Sequence, residues 1–269
     1  MRTTAREPAP HQRRLRPRAP AALLGVLVLA GLWELGVRVA HVPPFVVPAP
    51  SVVLQELAGE PLVFASATLS TLVEALGGFL LAAGAALVFA VGALHSRLLD
   101  RVLTPLVVVS QTVPVITLAP LLVLWFGYGT LPRVVVCALV AFFPVAITAL
   151  EGFRSTDQDL LLLMRSLDAS RWDAFWRVRL PNAGPFLAAG ARTGATLSLV
   201  GAVVAEWTGS DRGLGYIVLS ANSRLATAQA FAAVVLICLL GLAAYAGVGL
   251  LERRIGWWNR FKPKMTRIV

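Results

Sequence analysis

Four ionisable side chains, Glu34, Glu74, Arg192 and Glu206, interrupt long apolar runs of the sequence. Charged groups in such places are costly in lipid and are often kept for ion or proton movement. Their spacing does not make a relay. Glu34 has Arg38 four residues on, the separation at which side chains meet on one helix face, so a surface pair near a span end accounts for both. Arg192 and Glu206 lie fourteen residues apart, about 21 Å along a helix and too far to pair. A polar pair, Gln111 and Thr112, sits between Pro105 and Pro114, with Pro120 beyond. Proline frees backbone carbonyls that neighbours or a polar cavity must satisfy, so this helix is expected to bend beside a pathway, although a packing kink would use the same residues. By polarity and position the candidate pathway residues are Gln111, Thr112, Ser198 and Glu206.

Enzymatic chemistry is largely excluded by what the chain lacks. Both lysines, Lys262 and Lys264, fall in the last eight residues, so no Gly-rich loop ending in Gly-Lys-Ser/Thr exists to cradle ATP. His11, His41 and His95 are far apart, and neither His-Glu-x-x-His nor Gly-x-Ser-x-Gly occurs. The two cysteines, Cys137 and Cys238, lie in apolar stretches and read as small buried hydrophobes, so neither a disulfide nor a metal site is expected. Energy for any transport must come from a partner or an ion gradient.

The elements that must position these residues are membrane helices. Of 269 residues, 57% are hydrophobic and 14% charged, and the mean hydropathy is +0.75, a composition without enough polar surface for a soluble domain. Each crossing of a bilayer core needs about 20 apolar residues. Six runs qualify, at about 21–40, 66–94, 102–126, 133–151, 184–207 and 229–251. The fold class expected is all-α: a polytopic membrane protein with one transmembrane domain, 20–255, between basic tails at 1–19 and 256–269. The first tail, rich in arginine and proline, is read as disordered. A signal peptide is the rival for the N-terminal part, but the apolar run from Ala21 to Ala40 is too long for one.

Net charge is +10, carried by 22 arginines and two lysines between the apolar runs, which speaks for membrane topology and against nucleic acid. Residues 1–19, 95–101, 152–183 and the tail after Glu252 hold six, two, five and six basic residues, 19 of the 24 in all, and they alternate along the chain. Both termini and the 152–183 loop are therefore expected on the cytoplasmic side. Arg38 and Arg133 are read at span edges. Trp33, Trp125, Trp207, Trp257 and Trp258 fall near span ends, where headgroups favour amphipathic rings. Small residues in three spans, Ala82, Ala86, Gly194, Gly201, Gly247 and Gly249, would let helices approach closely.

Two connections are more than spacers. The proline-rich run from His41 to Pro50 must be extended, and Ser51 could cap a short helix over Val52–Gly59. In 152–183, Thr156 or Asp157 could cap a helix with an apolar stripe at Leu160, Leu163, Met164 and Leu167. A second short helix around Arg171–Val178 is expected to stop before Leu180-Pro181. This helical hairpin suits docking to a protein, and an interfacial helix lying on lipid fits the same pattern.

At these residues the chain resembles the integral membrane permeases of type I ATP-binding-cassette importers, in the subgroup serving sulfonates, taurine, nitrate and pyrimidine or riboflavin-type nutrients. The family's coupling loop has Glu-Ala-Ala, three residues, Gly, nine residues and Ile-x-Leu-Pro. Here that frame holds Leu162-Leu163-Met164, Asp168 and Val178-Arg179-Leu180-Pro181, with spacing kept and the Glu-Ala-Ala and Gly replaced. Phe45-Val-Val-Pro-Ala-Pro-Ser-Val-Val-Leu54, Gln111-Thr-Val-Pro, Leu118 to Gly127, Gly201-Ala-Val-Val-Ala-Glu-Trp207 and Gly213-Leu-Gly-Tyr216 are also similar, so the likeness covers about 42–255.

The resemblance implies a multi-pass permease subunit of the bacterial inner membrane, paired in a homodimer or with a like subunit, its first span wrapping the partner. It implies two ATPase subunits beneath, carrying ATP and magnesium, so that this chain binds no cofactor itself. A periplasmic or lipid-anchored substrate-binding protein would dock outside, and lipid would surround the spans. Residues 156–172 would sit in a cleft on each ATPase. The coupling residues are then Leu163, Met164, Arg165, Leu167, Asp168, Ala169, Ser170, Arg171, Trp172, Leu180 and Pro181. An ion-coupled secondary transporter is the alternative, but the inverted or parallel repeats expected of one are not seen.

Overall fold

Alanine and glycine at helical spacing determine how the long helices meet. In a computed structural model, which describes residues 19–110 and 112–256, the chain is helical, with no strand among the described residues. In order, the helices are α1 (Ala19–Val39), α2 (Pro50–Gly59), α3 (Pro61–His95), α4 (Arg97–Ser110), α5 (Val115–Phe126), α6 (Thr130–Arg154), α7 (Gln158–Ser166), α8 (Arg171–Ala174), a π-helical turn Phe175–Arg179, α9 (Leu180–Trp207), α10 (Leu214–Ser223) and α11 (Thr227–Ile255). Among the described residues, four stretches are long and apolar enough to cross a membrane: α3, α6, the run from Arg171 to Trp207, and α11 through Arg254. With 35 residues, α3 is about 52 Å long and must tilt or project beyond the hydrocarbon. The tail at 1–18, the one beyond Gly256 with Trp257 and Trp258, and Gln111 lie outside the described residues.

The core is a three-helix wedge of α3, α6 and α9 built on small side chains. Ala82 and Ala86 of α3 face Ala138, Ala141, Val145 and Ala146 of α6, and Ala90 packs with Ala149 and Leu150, all buried. Gly201 of α9 lies so close to α6 that a Cβ there would stand 2.9 Å from the Cα of Cys137. A Cβ on Gly78 of α3 would come 2.9 Å from the Val134 carbonyl of α6. Without a hydrophobic drive between helices in lipid, such backbone approach is what packing can supply. Gly247, by contrast, faces open space: a Cβ added to it would meet nothing within 4 Å, so it does not serve as a packing glycine in this chain. Cys137 is fully buried, but Cys238 is exposed on α11, against the expectation that both are interior.

Other boundaries also differ from the sequence reading. The run at 102–126 is two helices, α4 and α5, with residues 112–114 non-helical before α5: Pro114 has no N–H to donate and disfavours helical geometry at Val113. The segment from Arg171 does not stop at Pro181 but runs into α9. The π-helical turn makes this possible. Its wider ring pairs the Leu180 N–H with the Phe175 carbonyl, five residues back, just where the proline ring would clash with a regular α-helix. Ser51 does not cap α2, whose cap is Ala49 with Pro50 in the first turn. Instead the Ser51 backbone N–H and hydroxyl donate to Glu34 at 3.0 and 2.8 Å, while Arg38 Nε holds the same carboxylate at 2.6 Å. A carboxylate at the start of α2 meets N–H groups that no helix carbonyl can reach.

Contacts sort the connections onto two ends. At one end Asp100 pairs with Arg154, and the His95 ring stacks on Trp172 with centroids 5.3 Å apart. At the other, the Thr227 hydroxyl donates to the Phe45 carbonyl at 2.6 Å, and Arg133 reaches Ser210. The first end carries the arginine-rich connections 95–101 and 152–183.

Candidate functional site

The 152–183 hairpin projects from the arginine-rich end. Asp157 caps α7, its side chain accepting from the Asp159 N–H at 2.9 Å. Of the leucines in α7, Leu161 faces inward at 7% exposure, whereas Leu163 is 54% and the capping Leu167 68% exposed. Leu160 is likewise exposed and Met164 half-buried, so the apolar stripe foreseen from spacing faces outward on this chain alone. Arg165 and Arg171 are exposed, and Ala169 is half-buried.

The two short helices are joined by a corner whose geometry explains an odd residue. The Asp168 N–H bonds the Arg165 carbonyl at 3.1 Å, and the Ala169 N–H bonds the Met164 carbonyl at 3.0 Å, the paired bonds of a Schellman motif. That motif needs a left-handed residue after the cap, and Asp168 has φ +53°. This is the position the family fills with glycine; aspartate is among the few other residues that tolerate it. Ser170 then opens α8 with a capping box. Its hydroxyl accepts from the Asp173 N–H at 3.0 Å, and the Asp173 carboxylate accepts from the Ser170 N–H at 3.3 Å. The Ser170 hydroxyl also donates to that carboxylate and holds Asp173 below the usual carboxylate range. Phe175 anchors the hairpin, buried 5.4 Å from Phe153, while Trp172 and Trp176 stay exposed. Leu180 is half-buried and Pro181 buried at the root of α9.

Toward the opposite end the spans enclose a polar network. Arg133, 3% exposed, places Nη1 2.6 Å from Glu74 Oε1 and donates to the carbonyl of Gly129 and the hydroxyl of Ser210 at 2.8 and 2.6 Å. Arg133 stands in the first turn of α6, at the edge of that span as expected, and its guanidinium is carried inward rather than out to headgroups. Glu206, also buried, accepts from the Thr71 hydroxyl at 2.6 Å and the Gly215 N–H at 2.5 Å. Thr71 in turn accepts from the Leu214 N–H at 2.9 Å. Spans α3, α6 and α9 are thereby tied to the start of α10. Glu74 Oε2 is buried without a hydrogen-bond partner.

The sequence-derived pathway residues do not converge. Ser198 is fully buried and donates to the Ala75 carbonyl at 2.6 Å, and Glu206 belongs to the network just described, so both brace helices inside the subunit. Thr112 is exposed, its hydroxyl on the Val109 carbonyl at 2.8 Å, in the break between α4 and α5. Gln111 is outside the described residues. Arg192 pairs with Glu252 and lies 5.4 Å over the Tyr245 ring, so it joins α9 to α11 and is not a free anion receptor. Sequence reasoning missed Thr71 and Arg133; a lone arginine beside an apolar run, with an unmatched glutamate in another, was the available signal.

Long spans zipped by small residues and a charged hairpin projecting from one end are the build of a polytopic membrane subunit made to dock a partner. The comparisons agree. Residues 78–257 match the model of the binding-protein-dependent transport system inner membrane component family, and the chain belongs to that family. It is 36% identical over 238 residues to a probable ABC transporter permease protein of Haemophilus influenzae, covering 88% of this chain and 96% of that one. The riboflavin transport system permease protein of Chloroflexus aurantiacus is 36% identical over 244 residues, 89% of each chain. The taurine transport system permease protein of Escherichia coli is 34% identical over 265 residues, 93% of this chain and 95% of that one. A methionine ABC transporter structure in an inward-facing conformation superposes with a TM-score of 0.59 at 18% identity, covering 71% of this chain and 98% of that one, and shows the same fold. The protein is therefore a multi-pass permease subunit of an importer-type ABC transporter.

Proposed function

We propose that this subunit moves a small nutrient, handed over by an external binding protein, into the cytoplasm, driven by ATPase subunits that dock on α7. The observation that carries the reading is the outward-facing stripe of Leu160, Leu163 and Leu167 on a short, doubly capped helix rooted in two spans. Exposed leucines beside arginines are costly in water but suit a cleft with an apolar floor and acidic rim. A short rod fixed at both ends passes displacement to α6 and α9 without absorbing it. ATP and magnesium belong to the ATPases, the termini lie in the cytoplasm, and a second permease subunit, most simply an identical copy, completes the pathway. Leu163, Met164, Arg165, Leu167 to Trp172, Leu180 and Pro181 form or support the docking surface.

The substrate class follows the relatives only loosely. Names among them include riboflavin, formylaminopyrimidine, aliphatic sulfonates and taurine. The Gly209 to Tyr216 run resembles the pyrimidine and riboflavin branch, and we favour a flat nitrogen heterocycle over a sulfonate or nitrate because Arg192, a span arginine otherwise suited to meet an anion, is already paired. The deciding experiment is uptake in vesicles holding the permease, its ATPase and its binding protein. Uptake of a pyrimidine or flavin, dependent on ATP and lost in Leu167→Asp, supports the reading. Uptake without the ATPase, driven by an ion gradient, would replace it.

A further inference from the structure

Between the hairpin and the ends of α3, α4 and α6 lies a cavity of about 380 Å³. Its lining includes four arginines, Arg154, Arg165, Arg171 and Arg179, against one acidic residue, Asp100. Asp100 is already engaged, paired with Arg154 and accepting from the Thr104 hydroxyl at 2.9 Å. Among the described residues Arg165, Arg171 and Arg179 have no ion-pair partner. Arg179 is partly desolvated and feels the like charge of Arg165. Guanidinium groups gathered around a cavity repel one another until an anion enters, and their planar forks match phosphate oxygens.

We propose that this cavity is a phosphate-type anion site, filled by the headgroup phosphodiester of an anionic phospholipid from the adjoining leaflet. Its position favours a lipid source. The cavity is lined from the ends of the apolar spans α3 and α6, and Leu98, Leu99 and Val102 are exposed beside Asp100, an apolar wall for acyl chains. Trp176, exposed on the π-helical turn and outside the docking surface, is a ring of the kind that settles at headgroup depth. Basic pockets between spans on the arginine-rich side suit anionic headgroups. A lipid held here touches α7, the corner before α8 and the root of α9 together, tying the hairpin to the membrane. The inference does not rest on the coupling role, because it is tested on the isolated chain.

The test uses the purified full-length chain, delipidated in neutral detergent and titrated separately with phosphatidylglycerol, phosphatidylcholine and inorganic phosphate, with binding read by native mass spectrometry. Saturable phosphatidylglycerol binding that weakens roughly 25-fold in Arg165→Gln/Arg179→Gln, at about fivefold per charge removed, and is largely kept in Arg165→Lys/Arg179→Lys supports the lipid site. Inorganic phosphate binding with the same affinity and the same arginine dependence supports the anion site and assigns it a soluble ligand. Phosphatidylglycerol affinity that is the same in wild type and the glutamine variant, both folded by thermal melting, overturns the proposal, as does equal binding of phosphatidylcholine. Should the double variant fail to fold, exposed Arg171→Gln takes its place, and an unchanged affinity there overturns the proposal too.

Discussion

Arg133 Nη1 lies 2.6 Å from Glu74 Oε1, with both side chains almost wholly buried between α3 and α6. In a chain with few charges inside its spans, this pair fixes the rotation of one helix against another. It also holds Ser210, and through the loop after α9 it aligns α10 beneath Thr71 and Glu206. Removing one partner leaves an uncompensated buried charge, a loss of about 3 kcal/mol or more. Arg133→Gln and Glu74→Gln should each lower the thermal stability of the purified subunit sharply, and the double variant should lose clearly less than the two added together. Additive losses would show that the two residues act independently.

Leu161 and Leu167 are six residues apart in one hairpin yet face different surroundings. Leu167→Asp is expected to abolish ATP-driven uptake while leaving the amount of subunit in the membrane unchanged. Leu161→Asp, which buries an unpaired charge at a cost of roughly 3 kcal/mol, should reduce that amount itself. Quantifying membrane-inserted protein beside uptake separates the two, and normal uptake with Leu167→Asp would count against docking through this face.

Asp168 holds a left-handed conformation that costs most L-residues about 1–2 kcal/mol. Asp168→Gly should therefore keep the corner and sustain uptake, whereas Asp168→Val should open it. Amide hydrogen exchange at Ala169 and Ser170 reads the difference: slow in wild type and the glycine variant, markedly faster with valine. Equal exchange in all three would mean that the Schellman bonds do not hold the turn.

The capping box of α8 carries a pH dependence. Asp173 is held below its ordinary range, mainly by the Ser170 hydroxyl. A carboxylate whose folded value is depressed contributes stability that is fully present above its unfolded value, near 4, and is lost as pH falls through the lower folded one. Protection of the first turn of α8 should thus be flat from pH 7 to about 5 and weaken in acid. Ser170→Ala, which removes the cap, should open this turn roughly fivefold more often at neutral pH and blunt the acid response. A Ser170→Ala profile identical to wild type would exclude the box as the cause.

Gly201 and Gly247 are indistinguishable in the sequence as small residues on a span. Gly201→Ala, whose Cβ would press on the Cα of Cys137, should destabilise the subunit by about 1–3 kcal/mol. Gly247→Ala, with open space around it, should gain up to about 1 kcal/mol from helix propensity. Thermal unfolding in detergent reads both, and equal shifts in the two variants would show that the close approach at Gly201 does not matter.

Composition and local spacing were enough to establish several properties of this chain. Apolar runs near 20 residues long require an all-helical membrane protein, because lipid leaves backbone groups no other partners. The sequence holds no Gly-rich loop ending in Gly-Lys-Ser/Thr. The frame from Leu162 to Pro181 located the hairpin, since caps and corners are made by neighbours in the chain. Which charges meet became visible only once the helices were packed. Arg133 with Glu74, Glu206 with Thr71 and Gly215, and Arg192 with Glu252 join residues 59, 135, 9 and 60 positions apart. No helical period encodes such pairs: polarity alone singles out Ser198 and Glu206 in sequence, and only the packed helices show Ser198 on the Ala75 carbonyl and Glu206 on Thr71 and Gly215. The same holds for the continuous run through Pro181: a rule about proline predicted a stop, and a five-residue π-helical turn, stabilised by the packing of Phe175 on Phe153, carried the helix through.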